Sequence, residues 1–143
     1  MHPYLRIALA LVVGYVVGSV VNMGIILLGI QIVPLPEGID PMDSESLAAG
    51  MPLMEFKHFV SPWLAHAMGT LVGALVAVLI VKEYKLQTAL IMGTLFLLAG
   101  IYNVVVIPAP AAFVVADLVL AFIPMALLGY RLAGGHRHPP TVG

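Results

Sequence analysis

The chain contains no cysteine, which removes disulfide frameworks, thiolate metal sites, thiol redox relays and cysteine nucleophiles from its chemistry. Charge is nearly as scarce: six Lys and Arg against seven Asp and Glu in 143 residues. Without a basic stripe there is nothing to neutralise a phosphate backbone, so nucleic acid is excluded as a partner. Also missing are an H-E-x-x-H pair, an EF-hand acid spacing and any established transporter, protease, phosphatase or prenyl-transfer motif. Glu55, His58 and His66 do not make a dense ligand cluster, and no metal site is assigned.

What the chain has in abundance is apolar surface. Hydrophobic residues make up 62% of it and its mean hydropathy is +1.09, well beyond a soluble domain of this length. The expected partner is therefore the lipid bilayer. Four hydrophobic runs, about 7–30, 62–81, 86–107 and 111–132, are each long enough to cross a hydrocarbon core of ~30 Å at ~1.5 Å per residue. The first is too long for a signal-peptide core and has no small-residue cleavage site at its end, so it reads as a retained span. Ser61-Pro62 predicts the start of the second, with Trp63 at the interface, and Pro108 to Pro110 closes the third. Pro124 predicts a kink in the fourth, since it removes one backbone hydrogen bond. The fold class is all-α: an integral membrane four-helix bundle forming one transmembrane domain over 1–143, with a disordered tail at 134–143.

Five of the six basic residues (Arg6, Lys82, Lys85, Arg131 and Arg137) fall on one side of these spans, with Lys57 the exception. The positive-inside rule then puts both termini in the cytoplasm and the long 33–59 loop outside. Within that loop Asp40-Pro41, followed by Gly50-Met51-Pro52, predicts a short interfacial helix from about Pro41 to Ala49.

Small residues recur every fourth position at Ala10, Gly14 and Gly18 in span one and at Ala65, Gly69, Gly73 and Ala77 in span two. Such rows let helix backbones approach closely, so they are expected to face protein, within the bundle or in a homo-oligomer.

Asn22, His66, Asn103 and Asp117 do not belong in lipid. An acid near the hydrocarbon centre costs ~2.5 to 3.5 kcal/mol on insertion scales, so Asp117 must find a partner. Depth counting puts His66, Asn103 and Asp117 at similar height near the loop side, with Asn22 as a floor, and predicts one polar pocket that would bind a small or lipidic ligand. His66 and Asp117 are also the candidate acid/base pair, since a carboxylate can orient an imidazole. An interhelical hydrogen-bonded cluster that serves only packing explains the same residues.

The stretches from Phe59 to Thr70, Ile107 to Pro110, Ala116-Asp117-Leu118 and Ile123 to Ala126 resemble patches recurring in a family of small, uncharacterised bacterial four-helix inner-membrane proteins. The resemblance implies a bacterial inner membrane and carries no activity or cofactor. The functions left open are a ligand-binding or accessory membrane protein, an oligomeric transporter or channel, and a small intramembrane enzyme using the His–Asp pair.

Overall fold

In hydrocarbon each backbone N–H and C=O has to be paired within its own segment or within a closed barrel, so long apolar runs fold as helices. The computed structural model describes residues 1–135. Six helices occur in it: α1 (Pro3–Ile32), α2 (Ser44–Gly50), α3 (Phe56–Ile80), α4 (Lys85–Val106), α5 (Ala111–Leu120) and α6 (Ile123–Leu132), with a 3₁₀ turn at Met51–Leu53 after α2. Four candidate membrane spans result, α5 and α6 together making the fourth, and they pack as one bundle. The expected disordered tail falls, from residue 136 onward, outside the described residues.

Three boundaries differ from the sequence reading. Span two begins six residues before Pro62, at Phe56, because the His58 side chain caps the helix: its Nδ1 accepts the Glu55 N–H at 2.9 Å. Pro62 consequently sits inside α3 rather than in its first turn. The loop helix begins at Ser44, not Pro41, because Asp43 and not Asp40 is its N-cap, accepting the Glu45 and Ser46 N–H groups at 3.2 and 3.3 Å. Span four is interrupted as well as bent: α5 stops at Leu120, the residue whose carbonyl Pro124 cannot serve, and α6 restarts with Pro124 in its first turn.

Helix α3 is the axis of the bundle. Half of its most apolar stretch is buried against about a tenth of that in α1, so α3 is surrounded by protein and α1 lies at the periphery. The small-residue rows predicted to face protein do so, against each other. A Cβ on Gly14 would lie 2.5 Å from the Gly73 carbonyl oxygen, and one on Gly18 would lie 2.5 Å from that of Gly69. On another side of α3, a Cβ on Gly129 of α6 would lie 2.6 Å from the Leu71 oxygen. The core between these backbones is correspondingly fine-grained: Ala10, Ala67, Ala74, Ala77, Ala121 and Ala126, with Met92, Phe96 and Phe122 as its bulky members. In lipid, where apolar association has no water-driven term, such contact supplies the dispersion energy that holds helices together.

The geometry distinguishes two glycines of α1. Gly18→Ala brings its new methyl against the Gly69 backbone, which cannot rotate away, and should lower unfolding free energy by about 1–3 kcal/mol. Gly24→Ala meets nothing within 4 Å and should be neutral or stabilising by up to about 1 kcal/mol through helix propensity. Thermal unfolding of both variants in detergent, with Gly18→Ala melting lower than Gly24→Ala, is the expected result.

Candidate functional site

Each long segment presents one helical stripe to a common cavity at the loop end of the bundle. Ile26, Gly29, Ile30 and Val33 from α1 and its end, Gly100, Asn103, Val104 and Ile107 from α4 and its end, and Phe113 and Asp117 from α5 all follow i, i+3, i+4 spacing. Helix α3 adds His58, Phe59, Pro62 and His66. The 33–59 segment covers this space with Leu35, Pro41, Leu47, Met51 and Met54. The resulting cavity measures about 210 Å³ and its walls are mostly aliphatic, aromatic or methionine side chains.

His66 and Asp117 meet within it. His66 Nδ1 lies 2.9 and 2.8 Å from the two carboxylate oxygens of Asp117. The acid is 1% exposed, so it has no hydration shell and depends on this bond. Among the described residues no Lys or Arg lies within salt-bridge distance of it, and His66 is its only side-chain partner. Near-equal distances from one nitrogen to both oxygens place one shared proton between Nδ1 and the carboxyl group. The other ring nitrogen, Nε2, has no hydrogen-bond partner among the described residues, yet it is not sealed off, since no buried nitrogen there is left unpaired. His66 lines the cavity, so Nε2 is the nitrogen available to an occupant.

Neighbouring elements hold the pair in place. The His66 ring packs against Phe122 with centroids 5.6 Å apart. Phe122 occupies the break between α5 and α6 and in turn fills the space beside Gly100, where a Cβ would come within 2.5 Å of its ring. Trp63 Nε1 donates to the Ala116 carbonyl at 3.3 Å, tying α3 to the residue before Asp117. Ser61 lines the cavity too, but its hydroxyl donates to the Ile25 carbonyl at 3.1 Å, which makes it a tie between α3 and α1 and not a partner of His66.

The four polar residues singled out in the sequence are therefore distributed unevenly. His66 and Asp117 are bonded, and Asn103 lines the same cavity without a hydrogen bond to either. Asn22 does not line it. As the next position on the small-residue row it packs instead against α3, where a Cβ on Gly69 would meet its own Cβ at 2.9 Å. It therefore does not form the floor of the pocket, and Gly100, backed by the Phe122 ring, lines the cavity instead, which polarity alone could not reveal. His58 and Lys57 were also missed as lining residues. The signal for His58 was its third position after Glu55, a capping spacing. Among the described residues no group of three or more His, Asp or Glu side chains is placed to hold a metal ion.

Removing the acid tests the bond. Asp117→Leu leaves His66 Nδ1 without its hydrogen-bond partner and should lower unfolding free energy by about 1–3 kcal/mol, whereas Asp117→Asn retains an amide that can bond it and should cost less. Denaturant or thermal unfolding of the two variants orders them. Compared with protein-family models, with curated proteins and with solved structures, the chain finds no match in any of the three, so its function has to be read from this geometry.

Proposed function

We propose that this multipass membrane protein binds a small or lipidic molecule in the cavity beneath the 33–59 loop, with His66 and Asp117 as its polar end. The observation that carries the reading is a ring-sized, largely apolar cavity that ends on a buried imidazole–carboxylate pair with one ring nitrogen left available. Binding sites are typically apolar hollows with a few convergent polar groups that fix orientation, and this cavity has that composition. An ionisable pair kept inside a membrane domain is costly unless function or packing retains it, which adds weight to the same reading.

The distribution of Arg6, Lys82, Lys85 and Arg131 supports an orientation with the termini cytoplasmic, which opens the cavity toward the outer face of the membrane. The resemblance to small bacterial inner-membrane proteins supports that membrane as the location. A role as an accessory subunit, with a partner delivering or receiving the bound molecule, fits the same site. The 2.8 Å His66–Asp117 bond favours one second reading, acid/base chemistry on the occupant within the membrane.

Two measurements test this. In protein extracted with its native lipid, mass spectrometry should recover a specific molecule from the wild type. Val104→Trp, which fills the cavity from α4, should lose it while folding normally. Equal recovery from both would place the molecule on the lipid-facing surface and end the reading. For orientation, a membrane-impermeant thiol reagent applied to intact cells should label Ser46→Cys and leave Gly143→Cys unlabelled; the reverse pattern would turn the protein over.

A further inference from the structure

We infer that the occupant of this cavity is an apolar carbonyl compound, a substituted ring or short acyl chain whose C=O oxygen accepts a hydrogen bond from His66 Nε2. The inference rests on the ligand-binding reading above and names the class of ligand.

The first step is charge. Asp117 is buried, and among the described residues its only close charge partner is His66. A carboxylate facing a neutral imidazole would leave a net negative charge in apolar surroundings, whereas a carboxylate with an imidazolium and a carboxylic acid with a neutral imidazole are both neutral as pairs. Both neutral forms carry a proton on Nε2: one proton bridges Nδ1 and the Asp117 carboxyl group, and the Nε2–H is presented to the cavity.

The second step is the rest of the polar lining. Near the loop, His58 Nδ1 already accepts the Glu55 N–H at 2.9 Å, so the proton of its neutral ring sits on Nε2. Lys57 beside it also offers only donors. The Ser61 proton is committed to the Ile25 carbonyl. The histidines and lysine lining the cavity thus offer donors, Asn103 adds an amide N–H beside its own oxygen, and an occupant that brings acceptor oxygen satisfies them.

The third step is size and shape. A cavity of 150 Å³ lined by aliphatic and aromatic residues accommodates benzene, and this one measures about 210 Å³. One ring with a short substituent, or an acyl segment of similar volume, fills it. Met51, Met54 and the tilted ring pair Phe59 and Phe113 give the wall a polarisable, aromatic character suited to such a group.

Two probes of nearly equal shape separate the possibilities: 1-phenylpentan-1-one, which has the carbonyl, and pentylbenzene, which lacks it. Binding to the protein in nanodiscs is followed by fluorescence of Trp63, the single tryptophan, whose indole is bonded to the residue before Asp117. Affinities are expressed against the probe's concentration in the lipid. The wild type should prefer the ketone by about tenfold, the scale of one buried hydrogen bond. The preference should vanish in His66→Phe, which keeps a ring against Phe122 but no N–H. In parallel, the infrared carbonyl band of ketone bound to the wild type should move to lower wavenumber than that of ketone free in lipid, a readout that needs no variant.

Equal binding of both probes with an unshifted carbonyl band overturns the carbonyl assignment and leaves the apolar pocket standing. A ketone preference that persists in folded His66→Phe overturns the role of His66. Failure of both probes to bind the folded wild type overturns the pocket reading and this inference together.

Discussion

The close approach of other backbones to α3 is the constraint from which the rest of this structure follows. Gly14 and Gly18 of α1 touch its carbonyls at Gly73 and Gly69, and Gly129 of α6 touches it at Leu71 and Leu75. None of these contacts tolerates a side chain, so they set both the distance between helices and the rotation of α3 about its own axis. Once that rotation is set, the direction of His66, one turn before Thr70 and close to Gly69, is no longer free. Thr70 reinforces it by donating to the His66 carbonyl at 2.8 Å. Neighbouring helices therefore meet a histidine whose orientation has been decided by glycines.

The break in the fourth span is the second determinant. A continuous helix through residues 111–132 would carry Asp117 and Phe122 on rigidly related faces. Interrupting it at Ala121 and Phe122 uncouples them, letting α5 aim Asp117 at His66 while Phe122 turns beneath the same imidazole and beside Gly100. Proline causes the break by withholding one hydrogen bond, and the buried phenyl ring occupies the space that opens. The loop completes the enclosure from the other side, its methionines adapting to an irregular wall as unbranched thioethers do.

These features give the buried pair its character. An imidazole and a carboxylate at 2.8 Å in an apolar setting hold each other more firmly than a surface pair such as Glu55 and Lys57, which is hydrated and screened. The desolvation that makes the arrangement costly also strengthens any hydrogen bond the pair makes to a molecule in the cavity, because the local dielectric is low. On the proposed reading, the polar pair supplies orientation while the walls supply most of the affinity.

The sequence by itself determined the solvent, the number of crossings and the small-residue faces, because hydrocarbon thickness and the need for internal backbone hydrogen bonding allow few other solutions for such apolar runs. It also marked His66, Asn103 and Asp117, since polar side chains in a span are conspicuous against their surroundings. Boundaries were less legible: the capping spacing of Glu55 and His58 competed with the stronger-looking Ser61-Pro62, and Asp43 competed with Asp40. Only the tertiary structure decided that Asn22 packs against α3 instead of flooring the pocket, that Phe122 packs on the His66 ring, and that both carboxylate oxygens address one imidazole nitrogen. Those outcomes depend on helix rotation, and rotation is set by contacts between residues some 50 positions apart, as in the 51-residue separation of His66 and Asp117. No local pattern encodes that.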